Sequence, residues 1–563
     1  MANQLITPRG EALLKSGETP WTIYPRPQLK RESYVNLNGQ WDFTVRQEKS
    51  LPATYDRKIL VPFCPESQLS GIETHFPEGS FLFYRRVFNL PEGFFLGRVL
   101  LHIGAADQEL TCYVNGKKVG SHSGGYEAMT FDITAFLQQE NVLELRCRDD
   151  LRRQEFPYGK QTRKRGGMWY TPVSGIWQTV WLESVPETYV EKLRIENRGY
   201  SVTISTEPKL SGKIIIPALG EFPLEQGSVT VTPDTPHLWS PEDPYLYTFA
   251  LEAGEDRVES YFAIRSLEIR KVDGFHRLCL NGKPYFFHGL LDQGYWPEGL
   301  LTPPAPESYA DDILSMKELG FNMLRKHIKV EPEEFYYQCD RLGMIVFQDM
   351  VNNGDYNFLR DTALPTVGIQ KLDDRLLHRD PATRKAFLEG MTATVEQLRN
   401  HPSICYWTIF NEGWGQFDAD NVYDLLKKLD DTRFIDSTSG WFRRNRTDVD
   451  SYHVYFKPIK LTAGEKPLVL SEFGGYSYKP EGHVFNAEKT YGYGKFADVD
   501  SWNDAVEKLY LDQVVPAYQT GLCAAVYTQV SDVEDETNGL LTYDRKVCKA
   551  NAQRFQKIAE QLR

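Results

Sequence analysis

Nowhere in the 563 residues do about 18 uncharged apolar positions occur in a row, which excludes an apolar membrane-spanning helix. The opening stretch MANQLITPRGEALLKSGETPW also lacks a continuous apolar segment of signal-peptide length, so a soluble, cytoplasmic protein is expected. Cysteines fall singly, at Cys64, Cys112, Cys147, Cys279, Cys339, Cys405, Cys523 and Cys548. No close pair resembles a zinc or redox motif, and buried reduced thiols are the expected state. Positive charge is in deficit: the net charge is −13, which argues against a phosphate backbone as partner. Internal repeats and low-complexity tracts are absent as well, and acidic and basic residues are interspersed as on a solvated surface.

Aromatic residues, by contrast, are plentiful at 13%, a level that suits either a carbohydrate-facing surface or β-rich cores. The length calls for two to four domains. From Tyr34 to about Glu183 short alternating runs such as NGQWDFTV, FLFYRRVFNL and NVLELRCRDD are separated by turn residues, and CYVNGKKVG places Asn115-Gly116 at a two-residue hairpin turn. A β jelly roll over 1–184 is expected. A second β block, 185–272, has the strand spacing of a small immunoglobulin-like sandwich. After about Asp273 come eight strand candidates, from PYFFHGLL to LCAAVYTQ, most of them separated by helical patterns, which predicts a (β/α)8 barrel over 273–563. No Gly-rich phosphate turn follows the first of these strands, so a doubly wound sheet is disfavoured. Long connections over Val351–Asp380 and Gly474–Ser501 are expected to shape a pocket.

Two of the barrel strands end in a carboxylate: ICYWTIFNEGWG delivers Glu412 and PLVLSEFGG delivers Glu472. Alone, a strand-end Glu is most often a hydrogen-bond acceptor or cap. Paired at the C-terminal ends of strands four and seven, the two suit an acid and a nucleophile flanking a glycosidic bond.

With these residues in view, the chain resembles glycoside hydrolase family 2, the family of β-galactosidases, β-glucuronidases and β-mannosidases. The likeness runs from YPRPQLKRESYVNLNGQWDF through VNGKKVGSHSGGYEAMTFDIT, SGIWQTVWLE and WSPEDPYLYTF to FNEGWG and SEFGG. It implies a sugar-binding jelly roll, an immunoglobulin-like sandwich and a catalytic barrel, with Glu412 as acid/base, Glu472 as nucleophile, and no organic cofactor. It further implies that Asn411 bonds the sugar 2-hydroxyl and that Tyr455 orients the nucleophile. Arg325, His327 and Asp349, at the ends of strands two and three, are expected as sugar ligands or as ion-pair partners. Trp414 and Trp169 are candidate pocket walls, the latter on the jelly-roll loop RKRGGMWYTPVSG. Family members often form dimers or tetramers.

Departures bear on the substrate. Where β-glucuronidases of the family carry an Asn-x-Lys pair that grips the uronate, this chain reads Glu536-Thr537-Asn538, and Tyr527 replaces a common strand-eight Trp. Tyr527 and Asn538 are therefore candidate substrate contacts of altered character. Gly413-Trp414-Gly415 stands where the best-known β-galactosidases have a His-bearing magnesium segment, so no metal is expected. The expected activity is exo-cleavage of a neutral β-linked sugar, β-galactoside first. A β-glucuronidase or β-galacturonidase is the alternative, with Arg325, Lys326, Arg443, Arg444 and Arg446 as cations to consider, and a catalytically inactive carbohydrate-binding protein is the alternative of another class.

Overall fold

The computed structural model describes residues 5–366, 368–369 and 373–563. The long connection expected over Val351–Asp380 includes 367 and 370–372, which lie outside the described residues. Among the described residues, no helix is long and apolar enough to cross a membrane.

The first β block folds into a sandwich of a six-stranded and a four-stranded antiparallel sheet. Alternation explains it: in Asn141–Arg148, Leu143, Leu145 and Cys147 point into the core while Glu144 and Arg146 stay outside. The predicted hairpin forms as expected, with Val114 paired to Lys117 and both Asn115 (φ 52°) and Gly116 (φ 75°) in the left-handed region that a tight two-residue turn needs. The second block makes a three-stranded sheet against a four-stranded one.

The parallel barrel follows. Its strands, numbered within the barrel, are β1 (Phe287–Asp292), β2 (Met323–Lys326), β3 (Ile345–Asp349), β4 (Ile404–Asn411), β5 (Phe434–Ser439), β6 (Asp450–Val454), β7 (Leu468–Gly474) and β8 (Leu522–Thr528). They run β5-β4-β3-β2-β1-β8-β7-β6, with β5 and β6 side by side at the seam. The strand predictions hold for all eight, and β5–β6 and β6–β7, for which the sequence offers no helical pattern, are joined by loops without an α-helix. The final helix is also shorter than KVCKANAQRFQKIAEQL suggests, because Asn551 caps Arg554 and starts the helix at Ala552. A hairpin of Leu267–Val272 and Phe275–Leu280 straddles position 272. Its Leu278 and Leu280 join Phe287, Met323 and Val469 in a core cluster inside the barrel. Seven cysteines are buried; Cys548 is exposed, a departure from the expectation for all eight.

Candidate active site

The acidic pair is delivered by backbone geometry. After β4 the chain turns sharply: Glu412 sits at φ 51° and Gly413 at φ 77°, while Glu412 N–H donates to the Ser439 carbonyl at 2.9 Å. A left-handed Glu is uncommon and costs on the order of 1 kcal/mol, a strain typical of functional positions. Gly413 cannot be replaced without a shift, since a Cβ there would meet the Phe442 ring at 2.4 Å. Glu472 lies within β7 and is 6% exposed, against 14% for the Glu412 side chain. A carboxylate oxygen of each lies within 4.8 Å of the other's.

Arg325 on β2 organises the floor. Its Nε donates to Asp349 at 3.0 Å, Nη1 to Glu472 and the Ser471 carbonyl at 3.1 and 3.0 Å, and Nη2 to the Asn411 amide oxygen at 2.9 Å. Burial disfavours its charge, but Asp349 and Glu472 outweigh that and hold the guanidinium above its usual range. Asp349 is raised by burial and pulled below the ordinary carboxylate range by Arg325 and His327. His327 donates to Asp349 through Nδ1 at 2.7 Å, and burial, then the Lys160 charge, depress its imidazole to about 4. Tyr455 donates to Glu472 at 2.6 Å, as the sequence suggests, and meets Thr528 at 2.9 Å. Arg325 and Asp349 are each 1% exposed, so of the two roles left open for them the ion-pair role is the one observed.

A residue the sequence did not single out joins the two carboxylates. His453 on β6 places Nδ1 2.8 Å from Glu412 and 3.5 Å from Glu472, and Nε2 3.0 Å from the Ser439 hydroxyl. Glu412, His453 and Glu472 converge closely enough to suggest a cation site. The donor set fits one poorly: Nδ1 is already engaged by Glu412, and Glu472 is already served by Arg325 and Tyr455. A cation there would also face the Arg325 charge.

The jelly-roll loop does reach the mouth. Trp169 stacks on Trp414 (5.2 Å, 19°), and Tyr356 meets both edge-on, at 4.9 and 5.5 Å. From the same loop, Lys160 brings its Nζ to 5.7 Å from the Trp414 ring centre and 5.8 Å from that of Tyr170. The loop after β7 contributes Tyr493, stacked on Tyr455 at 3.7 Å.

Two expected substrate contacts are corrected. Tyr527 is 0% exposed, packs on Phe473 and Tyr510, and accepts the Tyr476 N–H at its hydroxyl; it faces the outer layer of the barrel, not the mouth. Asn538 is also fully buried, its amide oxygen accepting from Gln529 and its nitrogen donating to Glu536. Glu536 accepts a second hydrogen bond from the Tyr170 hydroxyl. The cations considered for a uronate are engaged elsewhere: Arg325 with Asp349 and Glu472, Lys326 with Asp292 and Glu331, Arg444 with Asp374, Arg446 with Asp424, and Arg443 over the Tyr452 ring.

Comparison with known proteins agrees with this architecture. The family model "Glycosyl hydrolases family 2, TIM barrel domain" matches residues 271–563 and "Glycosyl hydrolases family 2" matches 186–265. A β-galactosidase of Thermoanaerobacter pseudethanolicus is 24% identical over 74% of this chain and 59% of its own length. A putative β-glucuronidase of Formosa agariphila is 25% identical over 70% of this chain and 50% of its own. The chain thus spans little more than half the length of these relatives. A β-D-glucuronidase structure from Dictyoglomus thermophilum superposes with a TM-score of 0.72 at 18% identity, covering 96% of this chain and 98% of that one. With a family model matching the whole barrel, the chain belongs to glycosyl hydrolase family 2.

Proposed function

We propose that this protein is a retaining exo-β-glycosidase in which Glu472 is the nucleophile and Glu412 the acid/base. The separation of the pair carries the reading: oxygens within 4.8 Å leave no space for a water between the carboxylates, as an inverting mechanism needs. Glu472 attacks the anomeric carbon as Glu412 protonates the departing oxygen, giving a glycosyl-enzyme ester. Glu412 then takes a proton from water, whose oxygen displaces Glu472 and releases the sugar with its configuration retained. Arg325 and Tyr455 hold the Glu472 oxygens in place. Because Arg325 fixes the Asn411 amide oxygen, the amide nitrogen is the group left for the sugar 2-hydroxyl. The half-buried Trp169 ring, backed by the buried Trp414 on which it stacks, serves as a wall for the sugar or its aglycone. The divisions 1–184, 185–272 and 273–563 remain our proposed domain boundaries.

For the glycone, a neutral β-galactoside is favoured by the missing Asn-x-Lys. A β-glucuronide or β-galacturonide is favoured by Lys160, a cation at the mouth with no protein counter-ion among the described residues.

Glu472→Ala and Glu412→Ala, assayed on aryl β-glycosides with the product anomer followed by NMR, test the mechanism. Each variant is expected to lose about 10²-fold or more in kcat, with Glu472→Ala the more severe. Unchanged turnover in either variant, or an inverted first product, would refute it. No turnover by the parent protein would favour a carbohydrate-binding role.

A further inference from the structure

We propose that Lys160, carried to the barrel mouth by the jelly-roll loop, is the anchor for a carboxylate on the glycone, and that the substrates are therefore hexuronides. This rests on the retaining-glycosidase reading above and names its substrate class.

The observation is a lysine without a counter-ion. Among the described residues four lysines are less than one-tenth exposed: Lys160, Lys326, Lys329 and Lys549. Three of them have a carboxylate oxygen in contact: Lys326 on Asp292 at 2.6 Å, Lys329 on Glu331 at 2.9 Å and Lys549 on Asp532 at 2.6 Å. Lys160, 7% exposed, has neither a carboxylate within ion-pair distance nor a hydrogen bond from its ammonium to another described residue. Its company is two aromatic rings, at distances near the outer limit for a cation–π contact. With no protein partner, the ammonium at the tip of this buried side chain keeps its contact with solvent in the mouth. An anion arriving with the substrate would complete the pair.

Position selects the anion. Trp414 is two residues beyond the acid/base, and Tyr170 lies on the inner face of the loop, its hydroxyl bonded to Glu536. The Lys160 charge also contributes to the depression of the His327 imidazole, which is bonded to Asp349. Glu536 of the β8 loop is bonded by Tyr170 and Asn538 and makes no ion pair with Lys160.

The cation is also pre-positioned. The Lys160 carbonyl accepts the Tyr170 N–H at 3.0 Å. Its neighbour Gln161 donates to Asp107 at 2.9 Å and to Tyr126 at 3.1 Å while accepting the Val173 N–H at 2.7 Å. Little loop ordering remains to be done on binding. A carboxylate on the ring is the sugar substituent whose charge an ammonium without a counter-ion selects over a hydroxymethyl group.

The test uses the full chain. kcat/KM is measured for p-nitrophenyl β-glucuronide, β-galacturonide and β-galactoside with the parent, Lys160→Met and Lys160→Gln. The parent is expected to prefer a uronide, and the ratio of the better uronide to the galactoside is expected to fall at least 50-fold in both variants. Calorimetric titration of free glucuronate and galacturonate onto Glu472→Gln, with and without Lys160→Met, gives a readout independent of turnover. At least one sugar acid is expected to bind, and to lose binding with Lys160. A ratio within threefold of the parent's, a parent preferring the galactoside tenfold, or sugar-acid binding absent or unaltered by Lys160→Met would overturn the proposal. Failure of the glycosidase reading would appear differently, as hydrolysis indifferent to Glu472→Ala, and the titration would still decide the role of Lys160. Should Lys160→Met fail to fold, Lys160→Gln supplies the same comparison.

Discussion

Two clusters of buried charge lie at opposite ends of this molecule's logic. One joins the domains: Glu183, on a strand of the first sandwich, receives the Tyr24 hydroxyl at 2.5 Å, Arg26 at 2.9 Å and Arg31 at 3.1 Å. Arg31 also grips Asp256 of the second sandwich through two contacts of 2.8 Å. The other cluster is the barrel mouth, where Arg325 holds Asp349, Glu472 and Asn411. Both centre on an arginine with carboxylates, and both arginines are nearly inaccessible, at 5% and 1% exposure. At the junction the carboxylates face only protein donors. At the mouth Glu412 keeps 14% of its side chain exposed, and Lys160 stands uncompensated. Burial and pairing alone do not mark a site; groups left available do.

Arg325→Met should break the comparison most. It leaves Asp349 and Glu472 without their shared cation, and kcat is expected to fall about 10²–10³-fold, the scale of losing one preorganised electrostatic contact in a closed site. Stability should fall too, since buried carboxylates lose a partner. Steady-state kinetics beside thermal melts would separate the two effects; kcat within threefold of the parent would show that Arg325 is a stability element like Arg31.

Arg31→Met is the counterpart. Stability is expected to drop by about 3–5 kcal/mol, because Glu183 and Asp256 keep their burial and lose their bidentate partner. Activity at 25 °C of the folded fraction should stay within twofold. The pH dependence has a definite sign. Burial raises the Glu183 carboxyl, but Arg26, His102 and Arg31 outweigh it and hold the group below its usual range. Its contribution is present above the ordinary Glu pKa and is lost as pH falls through the folded value. The gap between parent and variant melting temperatures should therefore narrow on acidification. A variant that melts like the parent but turns over poorly would erase the distinction between the clusters.

How much of this was legible follows from period and parity. Glu412 and Glu472 stood out because each breaks an apolar β run at its end, and Asn115-Gly116 because few residue pairs tolerate two left-handed positions. Tyr527 misled because residue type was read without parity: on β8 it pairs with Phe473, the neighbour of Glu472, and so points away from the mouth. The next residue, Thr528, is the one that reaches Tyr455. Lys160 was hidden in the basic run GKQTRKR, which reads as a solvated loop, and its burial depends on Trp414, 254 positions downstream. His453 was hidden inside DSYHVY, where a strand histidine is ordinarily core. Its role depends on Ser439 and Ser471, from two other strands.

That last link carries the smallest of the expected effects and sharpens the comparison furthest, since it concerns a proton and not a charge pair. The Ser471 hydroxyl donates to the Tyr452 carbonyl at 3.2 Å, and the Ser439 hydroxyl donates to Ser471 at 3.0 Å. The Ser439 oxygen is then an acceptor for His453 Nε2–H at 3.0 Å, which in a neutral ring leaves the Nδ1 lone pair facing Glu412 at 2.8 Å. A lone pair there receives a carboxylic O–H, the form a general acid must have at the start of the cycle. His453→Ala is expected to lower kcat about 10- to 100-fold on methyl β-glycosides, whose departing oxygen needs a proton, and much less on dinitrophenyl β-glycosides, whose departing oxygen does not. Ser439→Ala, which frees the ring to adopt the other tautomer, should show the same split at lower amplitude. A merely structural histidine would slow both substrate types equally, and parallel losses in the two series would exclude His453 as the positioning residue for the proton of Glu412.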